Sequence, residues 1–449
     1  MIKRGLVLGG GGSRGAYQVG AWKALKELDV DIDIVTGTSI GALNGALIVQ
    51  NDFQGCVDLW DNIKYESVLS SIKEEDFKTY SGTRQAFLNF IRGVVAEGGL
   101  DIAPLETTVR EMLDEDLIRN SKIDFGLVTV EYPSMKEVVL VKSQIPQGKM
   151  ADYLLASAAC YPAFKSRDID NTKYVDGGYK NNLPIDMAIE MGANEVIAVD
   201  LEAIGNYVAP SYRDVPVRYI KSYWNLGLFL SFDKERIKRN MQLGYFDVMR
   251  SYRMIEGIAY AFELGEKDKL FAKTTVFKKA LEELFGFSIL DEAKSPVDRL
   301  VRSRIIKALN TKPKARVNVR EYAMRIVELA AENMDISPTK IYTINEISQE
   351  IIDAYDKGSY ISFKNIEQSL KEPKTLAKIR TIIENYEKKE VISFIYKNLQ
   401  RIFEQKEIDN NIKLLAAVAT KEFLAAMYIF AVKNKGKIQK IANGLTKSN

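Results

Sequence analysis

The chain has 449 residues, 46% hydrophobic and 27% charged, with a net charge of +3, which predicts a folded protein of two or three domains with a sizeable core. It contains no histidine and only Cys56 and Cys160 as cysteines. That excludes every histidine-based catalytic triad, argues against a zinc site, and fits a reducing compartment. Charge and glycine are unevenly spread: residues 1–205 hold 20 Lys+Arg, 30 Asp+Glu and 21 of the 29 glycines, while the remainder holds 43 Lys+Arg and 30 Asp+Glu. The composition changes near residues 203–216, where Gly205, Asn206, Pro210 and Pro216 cluster, so the expected domains are 1–205 and 206–449.

In chain order, Gly5–Leu8 reads as a short buried strand and Gly9–Gly15 as a glycine loop. Ala16–Leu28 carries apolar residues at helical spacing and reads as a helix. A second strand is expected at Ile32–Thr36 and a second helix at Ile40–Val49. Further strands are expected at Asp124–Glu131, Glu137–Val141, Tyr174–Asp176 and Glu195–Asp200, with helices at Pro104–Leu113 and Pro184–Met191. This alternation predicts an α/β sheet covered on both faces. Beyond it, Val217–Glu263, Thr275–Phe285, Pro296–Leu309, Val319–Met334, Ile344–Tyr355, Leu376–Arg401 and Asn411–Val432 are periodic and glycine-poor, and predict mainly helices. Lys433–Lys447 is basic and expected to fray.

Three pieces carry chemistry. Gly37-Thr38-Ser39-Ile40-Gly41 lies between strand and helix, the setting in which a sharp turn exposes a serine hydroxyl. Without imidazole, the base for such a serine is a carboxylate or a lysine. The loop Gly9-Gly10-Gly11-Gly12-Ser13-Arg14-Gly15 offers backbone N–H groups beside a helix N-terminus, suited to a phosphate or to the oxyanion of acyl transfer. Gly10, Gly12 and Gly15 also fit a dinucleotide fingerprint, but the next strand leads into Thr36, Gly37 and Ser39 rather than ending in an acidic residue. Arg14 opposes the helix dipole, so it points to solvent, binds an anion or anchors the loop. Tyr174-Val175-Asp176-Gly177-Gly178 is a strand ending in a carboxylate, which reads either as site chemistry or as a plain Asp-Gly turn.

Together these motifs resemble the patatin-like phospholipase family, in the family's order and over about residues 4–203. Gly99–Leu105, Ala156-Ser157 through Phe164, and Gly192–Ile197 are similar too, and Leu226–Asp233 with Gly244–Asp247 resembles the segment C-terminal to the catalytic domain in some bacterial members. Gly9 departs from the aspartate that many members carry there. The resemblance implies a three-layer α/β/α patatin-like sheet domain followed by a mainly helical C-terminal region. It implies a serine acyl hydrolase of phospholipase A or lysophospholipase type that acts on lipid acyl esters without a metal or cofactor. Ser39 would be the nucleophile and Asp176 the general base. The amides of Gly10, Gly11, Gly12 and Ile40 would form the oxyanion hole, supported by Arg14, Gly15, Gly37, Gly41, Gly177 and Gly178. An aspartate of ordinary pKa, about 3.9, is a weak base for a serine, so a partly apolar pocket around Asp176 is expected.

Acyl transfer by the same residues is an alternative, as is a membrane-binding module built on the basic second half, where Lys433-Asn434-Lys435-Gly436-Lys437 would meet anionic lipid. A solvated charged surface is the plainer reading of those residues. Nucleic acid is not an expected partner, since no helix-turn-helix or zinc motif occurs. The apolar stretch Leu414–Val432 reads as a buried core helix rather than a lid, and is interrupted by Lys421 and Glu422. With neither a signal-peptide pattern nor a membrane span, the expected location is cytoplasmic, with peripheral membrane contact allowed.

Overall fold

The computed structural model describes residues 2–63, 100, 102–271, 295–310, 319–358, 366, 376–405 and 410–435. They fall into two units, Met1–Arg253 and Met254–Asn449. In the first unit, strand β1 (Arg4–Leu8) sends Leu6 and Leu8 into one apolar cluster with helices α1 (Ala16–Glu27) and α2 (Ile40–Gln50). Val7 points the other way, into a cluster with Leu183, Ile185 and Ala188. Because side chains alternate along a strand, this split places helices on both faces and makes three layers.

The sheet has eight strands. Its order is β5 (Arg167–Ile169), β6 (Thr172–Asp176), β3 (Asp124–Tyr132), β2 (Ile34–Thr38), β1, β7 (Glu195–Asp200) and β8 (Val217–Lys221), with β4 (Lys136–Val141) also paired to β3. β2 is buried at all five positions, as a central parallel strand should be. It runs to Thr38, past its expected end at Thr36 and into the Gly-x-Ser-x-Gly segment itself.

The register along β3 positions the site. β2 pairs in parallel with β3 from Ile34↔Asp124 to Thr38↔Val128. β6 pairs antiparallel from Tyr132↔Lys173 to Thr129↔Asp176. β4 pairs with Gly126 to Glu131 of β3, overlapping the stretches used by β2 and β6, and therefore occupies the opposite edge from both. β2 and β6 thus share one edge of β3 and meet head to head, their C-terminal ends abutting between Val128 and Thr129. Ser39 follows one end and Asp176 closes the other.

The periodicity of Val217–Glu263 predicts mainly helix, and the structure corrects this in part. Val217–Lys221 is the parallel edge strand β8, paired with β7, and the helix of this stretch, α3 here, is Lys234–Ser251. The alternation of exposed Tyr219 with buried Ile220 suits a strand edge better than a helix face. Both elements follow the composition break at 205/206, yet both belong to the first unit. Helix α3 crosses α1 at two glycines: a Cβ on Gly20 would stand 1.7 Å from the Met241 carbonyl oxygen, and one on Gly244 would stand 1.9 Å from that of Tyr17. The Tyr17 hydroxyl donates to Asp247 across this contact at 2.6 Å, and Arg250 pairs with the same carboxylate.

The second unit is mainly helical among its described residues. Its helices include α4 (Pro296–Leu309), α5 (Val319–Asn333), α6 (Ile344–Lys357), α7 (Leu376–Ile383), α8 (Lys388–Gln405), α9 (Asn410–Val418) and α10 (Thr420–Lys433). Phe423 to Phe430 of α10 are buried all round, a core helix. The helix expected at Thr275–Phe285 lies outside the described residues, as does most of the basic terminus. None of the described helices is long and apolar enough to cross a membrane.

Candidate active site

Ser39 occupies the turn from β2 into α2 with φ 56° and ψ −127°, a backbone state that costs a non-glycine residue about 1–3 kcal/mol and marks a functional constraint. The turn is tight because the chain folds over itself. A Cβ on Gly37 would lie 2.4 Å from the Gly41 carbonyl oxygen, and one on Gly41 would lie 2.1 Å from that of Leu8. Only glycine fits at either place. Beyond the turn, the Ser39 carbonyl accepts from the amides of Ala42 and Leu43, so α2 starts directly under the serine.

Asp176 ends β6 and is 7% exposed. Its carboxylate accepts a hydrogen bond from the Gly178 amide at 2.7 Å, and it lies close enough to the Ser39 hydroxyl for that group to favour its charged form. Among the described residues no cation pairs with it. Burial raises its pKa from 3.8 to about 6, while the nearby Ser39 hydroxyl and the Gly178 amide pull the other way. A carboxylate in this condition is still ionised at neutral pH and is a stronger base than a solvated one.

The glycine loop lies over Ser39: a Cβ on Gly10 would stand 3.1 Å from the Ser39 Cβ. Gly10 itself is tied down. Its amide donates to the Asn182 carbonyl at 3.1 Å, and its carbonyl accepts from the Asn182 side-chain amide at 3.3 Å. The amides of Gly11, Gly12 and Ile40 have no acceptor among the described residues. Gly12 adopts φ +56°, and a Cβ there would stand 2.1 Å from the Phe229 carbonyl oxygen.

Arg14 anchors the loop. Its guanidinium donates to the carbonyls of Gly227 at 2.7 Å, Leu201 at 3.1 Å and Glu202 at 2.7 Å, and burial lowers its pKa from the usual guanidinium range. Its chain companion Gly15 packs where a Cβ would press on Ile40 and Trp60. Behind the loop, the Gln18 side chain donates to the Gly9 carbonyl at 2.7 Å, and Asn44 bridges Gln18 at 2.8 Å and the Gly15 carbonyl at 3.1 Å. This buried, satisfied network holds the loop rigidly against α1 and α2.

Two side chains at the centre of the site have no role that the sequence motifs assign. Asn182 follows the Asp176-Gly177-Gly178 turn and hooks the glycine loop to it. Ser157 is fully buried at the end of the helix Met150–Ser157. Its hydroxyl accepts from the Ser39 amide at 2.9 Å and donates to the Val128 carbonyl at 2.6 Å. The only sequence signals are the Asn181-Asn182-Leu183-Pro184 and Ala156-Ser157 stretches themselves, which by residue type alone look like ordinary turn and helix-end polar residues.

The structure therefore brings a serine at a strand–turn–helix corner, a buried carboxylate at the end of the neighbouring strand and a glycine loop to one place on an α/β sheet. Residues 6–189 match the family model of patatin-like phospholipase, a span that includes all three motifs. The chain is 30% identical over 213 residues to a patatin-like phospholipase domain-containing protein of Caenorhabditis elegans, covering 47% of this chain and 14% of that one. It is 28% identical over 223 residues to patatin-like phospholipase domain-containing protein 7 of Rattus norvegicus, covering 49% and 15%. Lysophospholipase NTE1 of Mycosarcoma maydis is 27% identical over 223 residues, covering 49% and 11%. The matched segment is thus a small part of each relative, 11–15% of its length. Among solved structures, VipD from Legionella pneumophila aligns with a TM-score of 0.33 and 15% identity over 95% of this chain and 92% of that one. Residues 6–189 of the chain are thus a patatin-like phospholipase domain.

Proposed function

We propose that this protein is a serine acyl hydrolase acting on lipid acyl esters of the phospholipid or lysophospholipid class. The observation that carries the proposal is the head-to-head meeting of β2 and β6 on one edge of β3, which sets Ser39 after one strand end and Asp176, a buried carboxylate without a cationic partner among the described residues, at the other. The matched domain and the relatives' names support the lipid class of substrate.

In this reading the Ser39 oxygen attacks the ester carbonyl carbon as Asp176 takes the hydroxyl proton. The carbonyl oxygen becomes an oxyanion and is held by the amides of Gly11, Gly12 and Ile40. Gly10, whose amide is engaged by Asn182, fixes the loop instead of donating. Each such donor typically contributes about 10²–10³-fold in rate. Protonated Asp176 returns its proton to the leaving alkoxide as the carbon–oxygen bond breaks, giving an acyl-Ser39 ester. Asp176, again ionised, then removes a proton from water as it attacks the acyl carbon, and returns that proton to the Ser39 oxygen as the acyl–oxygen bond breaks, which releases the fatty acid and regenerates the Ser39 hydroxyl and the ionised carboxylate. No metal is required by this sequence of steps.

The test is an activated phosphonate probe together with a panel of phospholipids and lysophospholipids. Wild type should be labelled at Ser39 and should release fatty acid. Ser39→Ala should lose labelling and about 10⁴-fold or more of turnover. A folded wild type that neither labels nor hydrolyses any lipid of the panel would overturn the proposal.

A further inference from the structure

We infer that Ser157 is a positioning residue that sets the distance between Ser39 and Asp176, with its hydroxyl bridging the Ser39 amide beyond the end of β2 to the Val128 carbonyl of β3. The inference rests on the acyl-hydrolase reading above. The ladder between β2 and β3 runs as far as Thr38↔Val128, and the next amide on that side, Ser39, departs into the turn. The Ser157 hydroxyl stands between that amide and the Val128 carbonyl, accepting at 2.9 Å and donating at 2.6 Å. A bond that would otherwise continue the ladder passes through an inserted hydroxyl. The extra atom lets the chain leave the sheet at Ser39 without orphaning either backbone group.

The same short segment also fixes the other half of the pair. Two residues on, the Ala159 carbonyl accepts from the Asp176 amide at 2.8 Å. Residues 157–159 therefore grip the backbone of Ser39 through one bond and that of Asp176 through another. Packing leaves little room for drift: Ser157 is fully buried, and a Cβ on Gly177 would stand 2.2 Å from the same Val128 carbonyl oxygen that Ser157 serves. Ser157 is fully buried and both its bonds go to backbone, so its loss should appear in the chemical step rather than in binding.

The experiment compares wild type, Ser157→Ala and Ser157→Thr in the full-length chain. Active sites are counted by phosphonate titration, and kcat and KM for one lysophospholipid are expressed per titrated site. A purely structural role would lower the number of competent sites and leave each at full speed. A positioning role lowers kcat per site by about 10–100-fold, as a small misplacement of the reacting groups does, with KM changed by less than about twofold. Ser157→Thr keeps the donor and acceptor and should recover kcat to within about fivefold of wild type. Should Ser157→Ala fail to fold, Ser157→Cys replaces it, since a thiol of similar size is a weak hydrogen-bonding group, and the same outcomes apply. A per-site kcat for Ala or Cys within about twofold of wild type overturns the inference, as does a Thr variant no faster than Ala or Cys. An inert wild type overturns the hydrolase reading and this inference together, whereas an active wild type with an unaffected Ser157→Ala overturns this inference alone.

Discussion

Asp176 in the first unit and Glu328 in the second are both buried carboxylates, and their surroundings differ in one respect. Glu328, fully buried, accepts from the amides of Ile258, Ala259 and Tyr260 at 2.6, 2.9 and 3.3 Å and from Arg325 at 3.2 Å. Arg325 in turn reaches Glu332 at 2.6 Å. Both oxygens of Glu328 are served and a cation faces its charge, so it works as a clamp between helix α5 and the segment before residue 262. Asp176 has one amide and no cation among the described residues, so its charge is left uncompensated. Compensation makes a buried carboxylate structural, and its absence keeps one basic.

Substituting the two groups should separate these roles. Asp176→Asn keeps the shape, removes the base, and should lower kcat by about 10⁴-fold. Its effect on stability follows from the sign of the shift. A carboxyl whose pKa is higher in the folded than in the unfolded state stabilises the fold below the unfolded value, 3.8, and that contribution is lost as pH rises through about 6. At pH 8 the buried charge therefore costs the wild type on the order of 3 kcal/mol. Asp176→Asn should melt no lower than wild type at pH 8, with its relative advantage shrinking as pH falls from 7 to 4. Denaturation at both pH values checks this, and a large loss of stability at pH 8 would make Asp176 a clamp like Glu328.

Glu328→Gln should show the reverse. It weakens the charge-assisted bonds that the buried carboxylate accepts from three amides and Arg325, while Arg325 keeps Glu332, and should cost about 1–3 kcal/mol. Urea melts of the full chain should register that loss, while kcat per titrated site stays at the wild-type value. A drop in per-site kcat matching that of Asp176→Asn would erase the distinction between the two carboxylates.

Smaller effects are expected elsewhere in the first unit. Arg14→Ala removes three bonds to loop carbonyls but no group that meets the substrate, so kcat should fall by about tenfold, less than for loss of an oxyanion donor. Arg14→Lys should recover little, since an ammonium cannot reproduce the guanidinium fork. Cys160, half-buried near Asp176, has its thiol pushed up to about 12 by burial. It is therefore a poor nucleophile, and Cys160→Ala should keep activity within about twofold.

The site was legible in the sequence where local geometry demands particular residues. A strained serine turn needs small neighbours at Gly37 and Gly41, and a loop over the serine needs Gly12, so these positions mark themselves. Arg14 could be picked out as anomalous at a helix start, but its three acceptors lie near residues 201 and 227, and no local pattern reports them. The head-to-head meeting of β2 and β6 depends on long-range register along β3, and Ser157 has a role only because of that meeting. The fold shows the same division. The glycine-rich alternation disclosed the central strands and their helices, while the short edge strand at Val217–Lys221 was absorbed into the helical pattern around it. Composition set a break near residue 205 because charge changes there, but packing carries the first unit on to Arg253.

A serine activated by an uncompensated carboxylate is tested most directly by the pH dependence of Ser39 labelling with an activated phosphonate, followed from pH 4 to 9 in wild type and Asp176→Asn. The labelling rate constant of wild type should rise through a single ionisation near pH 6 and stay level above it, and Asp176→Asn should label at a low, nearly pH-independent rate. A wild-type profile that is flat across this range, or an Asp176→Asn protein that labels as fast as wild type at pH 8, would contradict the assignment of Asp176 as the base.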